Sequence, residues 1–137
     1  STALIANHGK GVQLHLVKGN ELPLEVSVPV DEKNWQAVIK AMNEVVSQPS
    51  GTAFRISHGL TYTMSGKTGT AQVFTLEEEK DTPTQESLAK HLRDHSLFVG
   101  FAPSENPKIV VAIVLEHDKG APVVARQIMD SYMRTAS

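Results

Sequence analysis

A glycine-containing segment near the middle of the chain constrains the fold more than any other feature. Between Ser65 and Ala71 no large side chain occurs, and Lys67 is a single cation among hydroxyls and glycines. The flanking residues are apolar or aromatic, as in a strand that enters and leaves a sheet: Tyr62, Met64, Val73 and Phe74. Central glycines weaken a strand, so they favour close approach by a ligand or another backbone, or else a bulge or a polar edge strand. The segment predicts a strand, and both explanations of its glycines stay open.

A Gly-Lys-Thr core also occurs in phosphate-binding P-loops, but the spacing excludes that class. The P-loop pattern is G-x-x-x-x-G-K-[ST], so its first glycine lies five residues before the second. Here that position is Thr61, and Gly59 comes two residues too early. The residues after Thr68 also alternate as in a strand, whereas a P-loop opens a helix. We therefore exclude a nucleotide site.

Composition excludes several other classes of protein. The 137 residues make one domain at most, and 13 basic against 15 acidic side chains leave a net charge of −2. Such a balance gives no electrostatic footprint for nucleic acid. No stretch approaches the roughly 18 consecutive apolar residues of a membrane span, and the start of the chain has no charged n-region of a signal peptide. The absence of cysteine excludes disulfides and thiolate metal sites.

Hydrophobic periodicity predicts an α+β fold. Alternation over residues 12–16 indicates a short strand, and the two prolines within 20–30 indicate a connecting segment. An apolar stripe over 35–46 predicts a helix that stops at residues 49–51.

The second half of the chain predicts an antiparallel sheet with a helix packed on it. The expected strands cover about 60–76, 96–102 and 108–117, and the expected C-terminal helix covers about 121–134. The apolar run from Ile109 to Leu115 is unbroken, which is typical of a strand buried on both faces.

A surface helix is predicted from Thr82 to about Arg93, and a histidine pair lies at its C-terminal end. His91 and His95 are four residues apart, as in a helical zinc motif, but Leu92 replaces the glutamate of H-E-x-x-H. Two solvent-facing histidines are therefore favoured over a metal site.

The Lys67 segment also carries a catalytic motif. Lys67-Thr68-Gly69-Thr70 matches K-T-G, which accompanies S-x-x-K and S-x-N motifs in the penicillin-recognising acyl transferases. Other matching segments occur along nearly the whole chain: Trp35, Met42, Val45-Val46, Gly51-Thr52-Ala53, His91-Leu92-Arg93-Asp94-His95, Phe101-Ala102-Pro103 and Leu115-Glu116. With them, the chain resembles the C-terminal part of a class B penicillin-binding protein transpeptidase domain, most closely the elongation-type penicillin-binding protein 2.

Two other motif matches are rejected as a nucleophile and its partner. Ser87-Leu88-Ala89-Lys90 fits S-x-x-K and Ser104-Glu105-Asn106 fits S-x-N, but both follow Lys67, whereas the family order places both motifs before K-T-G. Patterns with two fixed residues arise often by chance. We therefore expect residues 1–137 to be the C-terminal part of a transpeptidase domain whose nucleophile-bearing segment lies outside this chain. The N-terminal residues 3–6, which resemble a last helical turn, agree with that expectation.

The remaining motif predicts the binding wall of the site. Lys67 supplies a positive charge for a peptide carboxylate and for raising the acidity of a neighbouring hydroxyl. Thr68 and Thr70 offer hydroxyl donors to that carboxylate, and Gly69 leaves space for the peptide. The resemblance further implies that the backbone N–H of Thr70 is one of two oxyanion donors.

The resemblance implies a function that composition and spacing do not. It implies a serine-type D-Ala-D-Ala transpeptidase that cross-links peptidoglycan stem peptides and is acylated by β-lactams, without metal or cofactor. It also implies the periplasmic face of the bacterial inner membrane, and as partners the N-terminal part of the same protein and a SEDS-family glycosyltransferase. Two alternatives stay open: a β-lactamase-like serine hydrolase, and a non-catalytic module that binds a peptide carboxylate by strand addition.

Overall fold

The fold is organised around three antiparallel strands. The computed structural model describes residues 1–12, 25–73 and 89–135. In chain order its helices and strands are α1 (Thr2–Ala6), β1 (Lys10–Val12), β2 (Glu25–Ser27), α2 (Glu32–Ser47), β3 (Ser65–Ala71), β4 (His95–Ala102), β5 (Ile109–Leu115) and α3 (Ala121–Thr135). Short 3-10 turns cover Phe54–Ser57 and Lys90–Leu92. β1 pairs with β2, and the larger sheet has the order β3-β4-β5.

The predicted α+β architecture, with an antiparallel sheet and a C-terminal helix, is confirmed. β3 pairs with β4 so that Gly66 lies opposite Gly100, and β4 pairs with β5. β3 is shorter than the predicted 60–76: residues 60–64 and 72–73 are not in the strand, and 74–76 lie outside the described residues. In the part of the chain that is described, β3 pairs on one side only, so its other edge carries unpaired backbone groups.

The main core lies between the sheet and α3. Phe98 of β4 and Met129 of α3 are fully buried in it, and Val46 from the end of α2 closes one side. A second cluster on the opposite face places Phe101 between Ala6 of α1 and Met42 of α2. The apolar stripe predicted over 35–46 thus divides between two cores, because α2 crosses the edge of the sheet.

The face of β5 that points away from α3 is only partly covered by the described residues. Val111 is buried on the side of α3, whereas Val110 is 38% and Val114 64% exposed on the other side. The apolar run predicts a strand that is buried on both faces, but the sequence offers no obvious element for the second face beyond the helix over 35–46. The exposure of Val110 and Val114 agrees with a second face that the described part of this chain leaves partly open.

Two local predictions were wrong. β2 lies within the predicted connecting segment 20–30 and pairs with β1; its three residues are all exposed, so backbone pairing rather than apolar periodicity defines it. The predicted surface helix lies outside the described residues up to residue 88, and over Lys90–Leu92 the chain forms a 3-10 turn. His91 and His95 therefore do not share a helix face, and His95 is half-buried at the start of β4 instead of solvent-facing. Residues 13–16 and the charge run 77–81 also lie outside the described residues.

A polar cluster fastens α3 to the segment that leads into β3. The Tyr62 hydroxyl donates to Asp130 Oδ1 at 2.7 Å, and Arg126 Nε donates to Asp130 Oδ2 at 2.7 Å. The same guanidinium donates to the carbonyl oxygens of Ile56 and His58 at 2.6 and 3.1 Å. Burial opposes ionisation of Asp130, but the hydrogen bonds from Tyr62 and Arg126 outweigh it and lower the pKa of the carboxyl.

This cluster predicts a loss of stability in acid. Because the pKa of Asp130 lies below its ordinary value of 3.8 in the folded state, the carboxylate stabilises the fold above that pH and ceases to do so as pH falls through the folded value. We expect Asp130→Asn to have a lower free energy of unfolding than the wild type at pH 6, and the difference to shrink as the pH falls below the ordinary value. Urea denaturation between pH 6 and pH 2.5 measures this difference. A difference in the free energy of unfolding that does not change with pH would contradict a stabilising role of the Asp130 carboxylate.

Candidate functional site

The four motif residues lie together on β3, but they divide between the two faces of the strand. Side chains alternate along a strand, so Thr68 and Thr70 project to the face that α3 covers, and Lys67 projects to the other face. Lys67 is exposed, and its Nζ donates to the carbonyl oxygen of Thr68 at 2.6 Å. Thr68 is half-buried, whereas Gly69 and Thr70 are exposed. The strand therefore presents a cation on one side and two hydroxyls on the other.

A cavity of about 450 Å³ lies beside the hydroxyl face of β3. Thr68, Gly69 and Thr70 line it together with Thr52 and Arg55, whereas Lys67 does not. Its far side is formed by the start of β4, the turn after β5 and the first turn of α3, with residues 93–96, 117–119 and Pro122. The cavity combines hydroxyl donors with charged groups of both signs, which suits a polar ligand that carries a carboxylate.

The turn after α2 brings Thr52 against β3. Its hydroxyl lies 2.7 Å from that of Thr68, and either oxygen can be the donor. The turn is held by the Ala53 N–H, which donates to the carbonyl oxygen of Val45 at 3.1 Å. A Cβ at Gly51 would lie 2.2 Å from that same carbonyl oxygen, so only glycine allows the turn to pack this closely on α2. The Gly-Thr-Ala segment quoted above for its family resemblance thus has a local physical reason.

A buried hydrogen-bond network fixes the start of β3. The hydroxyl of Ser65, which is fully buried, is bonded to Ser104 Oγ at 2.9 Å and to the Ile39 carbonyl oxygen at 3.3 Å. Asn43 Nδ2 of α2 donates to the Met64 carbonyl oxygen at 3.0 Å and to Ser104 Oγ at 3.3 Å. These bonds connect α2, β3 and the β4–β5 turn. The sequence pattern gave no sign of this network, because its members are far apart in the chain.

The two central glycines of β3 have different structural surroundings. A Cβ at Gly66 would lie 2.2 Å from the ring of Phe98, which is fully buried, so this glycine is required by packing. A Cβ at Gly69 would meet only the Leu97 side chain, whose Cβ would be 3.2 Å away, and Gly69 is exposed. Packing against Phe98, which the sequence did not predict, therefore accounts for Gly66, whereas at Gly69 the predicted space for a ligand remains open.

A histidine pair closes the far side of the cavity. The His95 and His117 rings are in edge contact with centroids 4.6 Å apart. The backbone N–H of His117 donates to His95 Nδ1 at 3.1 Å, and the Nδ1 atom of the His117 ring donates to the Arg93 carbonyl oxygen at 2.9 Å. Both Nδ1 atoms are thus engaged with backbone groups. Over residues 1–12, 25–73 and 89–135, no group of three potential ligands is placed to hold a metal ion.

Two serines that the sequence associates with the motif, Ser65 and Ser104, are not placed to attack a substrate. Ser65, two residues before Lys67, and Ser104 of the S-x-N match are both buried and bonded to each other. Ser87 of the S-x-x-K match lies outside the described residues.

None of the described helices is long and apolar enough to cross a bilayer.

Comparison with known proteins gives a consistent result. Residues 2–134 match the family model of the penicillin-binding protein transpeptidase domain. The peptidoglycan D,D-transpeptidase MrdA of Haemophilus influenzae is 35% identical over 147 aligned residues, which cover 97% of this chain and 22% of that protein. MrdA of Escherichia coli K12 is 34% identical, with 95% of this chain and 20% of that protein covered. The chain spans about a fifth of the length of these curated relatives.

Solved structures agree with the sequence relatives. The structure of Pseudomonas aeruginosa PBP2 in complex with WCK 5153 superposes with a TM-score of 0.71 at 36% identity, covering 96% of this chain and 27% of that one. Helicobacter pylori PBP2 in complex with MreC gives a TM-score of 0.73 at 28% identity, covering 99% and 24%. The predicted fold and the resemblance to elongation-type penicillin-binding protein 2 are both confirmed.

Proposed function

Because the chain belongs to the penicillin-binding protein transpeptidase domain family, we propose that it forms the K-T-G half of the active site of a peptidoglycan D,D-transpeptidase. The observation that carries the proposal is the position of β3. Its outer edge is unpaired in the described part of the chain, and its two threonines line a cavity of about 450 Å³. An extended peptide can lie along such an edge, and its terminal carboxylate can reach the hydroxyls.

In this proposal the side chains on the two faces of β3 have different roles. Thr68 and Thr70 lie in the cavity and bind the carboxylate of the peptide or β-lactam through their hydroxyls. Lys67 lies on the opposite face, where its ammonium stabilises the ionised form of a nucleophilic hydroxyl and adds a positive potential for the carboxylate across the strand edge. The exposed surface at Gly69 leaves room for the substrate backbone.

The backbone of Thr70 supplies an oxyanion donor in this proposal. Attack on a carbonyl carbon places negative charge on its oxygen, and a fixed N–H group lowers the energy of that state; loss of one such donor costs about 100- to 1000-fold in rate. A backbone donor on a paired strand is rigid, because the β3–β4 ladder from Ser65 to Ala71 fixes its direction.

The nucleophile is contributed by polypeptide outside these residues. A serine hydroxyl there attacks the penultimate D-Ala carbonyl carbon, its proton passes to a neighbouring base, and the C–N bond breaks to release protonated terminal D-Ala. An acceptor amine then attacks the serine ester and restores the hydroxyl. With a β-lactam the ring amide opens in the first step, and the leaving nitrogen stays attached to the acyl group.

The proposal extends to cellular context. The relatives are named as peptidoglycan transpeptidases, which supports action on the periplasmic face of the inner membrane, with a membrane anchor outside this chain. The complex of the Helicobacter pylori relative with MreC supports work within a protein assembly. From the family resemblance we propose that this assembly includes the N-terminal part of the same protein and a SEDS-family glycosyltransferase.

Labelling with a fluorescent penicillin tests the function. The full-length protein that carries this chain should be acylated stoichiometrically, and mass spectrometry should find the adduct on a serine outside residues 1–137. An adduct on Ser87 or Ser104 would overturn the assignment of the nucleophile. Rapid turnover of a chromogenic β-lactam would favour the hydrolase, and peptide binding without any acylation would favour the non-catalytic module.

A further inference from the structure

The carboxylate site contains a third hydroxyl, for which neither the K-T-G motif nor the family resemblance gives a role. Thr52 is contributed by the turn after α2, lines the same cavity as Thr68 and Thr70, and touches Thr68 through the 2.7 Å contact between hydroxyl oxygens. A threonine hydroxyl has one proton to donate and can accept two hydrogen bonds. The direction of the hydrogen bond in this pair therefore decides what Thr68 presents to a ligand.

The two directions have opposite consequences for an anion. If Thr68 donates to Thr52, its proton is used inside the protein and only lone pairs face the cavity. If Thr52 donates to Thr68, the proton of Thr68 is available, and its donation to a carboxylate is charge-assisted. The bond from Thr52 then also polarises the Thr68 hydroxyl and strengthens the bond to the ligand.

We infer that Thr52 is a positioning residue of the carboxylate site, which donates to Thr68 and thereby orients the Thr68 hydroxyl toward the anion. The inference rests on the proposed function, since it requires a carboxylate at Thr68. The local structure supports it because the turn is rigid: Ala53 is 1% exposed, its N–H is bonded to Val45, and Gly51 fits closely on α2. Thr52 is itself exposed, so removing its hydroxyl leaves no buried polar atom unsatisfied.

The test compares a β-lactam that has its free carboxylate with the neutral methyl ester of the same compound. In the full-length protein, Thr52→Val keeps the side-chain shape and removes the donor. We expect the second-order rate constant of acylation by the free acid to fall about 3- to 10-fold, the range for one lost hydrogen bond. The rate constant for the ester should stay within about twofold, because a hydrogen bond from Thr68 to an uncharged ester oxygen is not charge-assisted and contributes less.

Three further variants make the result specific. Thr52→Ser keeps the hydroxyl and should react with both compounds like the wild type, whereas Thr52→Ala should repeat the selective loss. Thr63→Val is a second control: the Thr63 hydroxyl donates to Glu105 Oε2 at 2.6 Å and accepts from the Ser104 backbone N–H at 2.9 Å, but Thr63 does not line the cavity. Its effect, if any, should be equal for the two compounds.

The failures of the two proposals are distinguishable. A wild-type protein that the free acid does not acylate overturns the proposed function, and the role of Thr52 with it. A normally acylated wild type overturns the role of Thr52 alone if Thr52→Val and Thr52→Ala react like wild type, or if they lose the same factor against acid and ester. Unchanged reaction with the ester also shows that a variant is folded.

Discussion

Replacement of Lys67 by alanine is expected to slow acylation of the full-length protein by β-lactams about 10- to 100-fold, since a hydrogen bond to a charged group contributes about 1.5–3 kcal/mol. The fold should not change. The ammonium is exposed, and its contact at 2.6 Å is with the carbonyl oxygen of the next residue in the same strand. The loss therefore arises in the reaction, where the charge stabilises the attacking oxygen and the bound carboxylate.

Stopped-flow acylation with a fluorescent penicillin measures the rate constant, and thermal denaturation measures the fold. Lys33→Ala is the matched control: Lys33, in the first turn of α2, is also exposed, its Nζ lies 3.4 Å from Asp31 Oδ2, and its loss removes the same charge away from β3. Lys67→Arg keeps the charge but not the compact ammonium, and should recover only part of the rate. Equal rates for Lys67→Ala and Lys33→Ala would rule out a role of Lys67 in the site.

Local pattern was enough to predict the sheet and the position of the motif. Small residues from Ser65 to Ala71 between apolar flanks, and the apolar run of β5, each identify a strand from its own side chains. β2 was missed because its stability comes from backbone pairing with β1 and its residues are exposed. The same limit applies to β5, because its unbroken apolar sequence does not reveal that Val114 is exposed in the part of the chain that the structure describes.

Local sequence pattern also identifies only part of the candidate site. The K-T-G residues are contiguous, so a motif finds them and the alternation of a strand divides them between two faces. Thr52 and Thr68 are 16 positions apart, and Asn43 and Ser104 are 61 apart, so their contacts exist only after folding. The notable signal in the sequence was Gly51-Thr52-Ala53, which a family resemblance marked without giving its role.

Phe98 explains why β3 needs a glycine at position 66. Its ring is fully buried and lies across the opposed pair Gly66 and Gly100, and a Cβ on either glycine would come within 2.8 Å of a ring atom. The ring thus fills space that both strands leave empty. Because β3 carries the proposed site, the fit of this ring connects the core to the position of Thr68.

Phe98→Ala is expected to lower the free energy of unfolding by about 3–5 kcal/mol, the range for removing a buried phenylalanine. Gly66→Ala should cost about 1–3 kcal/mol through overpacking against the same ring. Gly69→Ala, whose Cβ would meet only the Leu97 Cβ at 3.2 Å, is the control and should cost less than Gly66→Ala. Denaturation in urea of the full-length variants measures all three free energies.

A double-mutant cycle shows whether contact with the Phe98 ring causes the loss of stability in Gly66→Ala. Leucine is shorter than phenylalanine, so Phe98→Leu opens space where the Cβ of residue 66 would lie 2.2 Å from the ring tip. Gly66→Ala should then cost less in the Phe98→Leu background than in the wild type, with a coupling free energy of about 0.5–3 kcal/mol. If the two costs simply add, the clash is absorbed elsewhere, for example by a shift of β3. In that case acylation should fall in Gly66→Ala, because Thr68 and Thr70 would move with the strand.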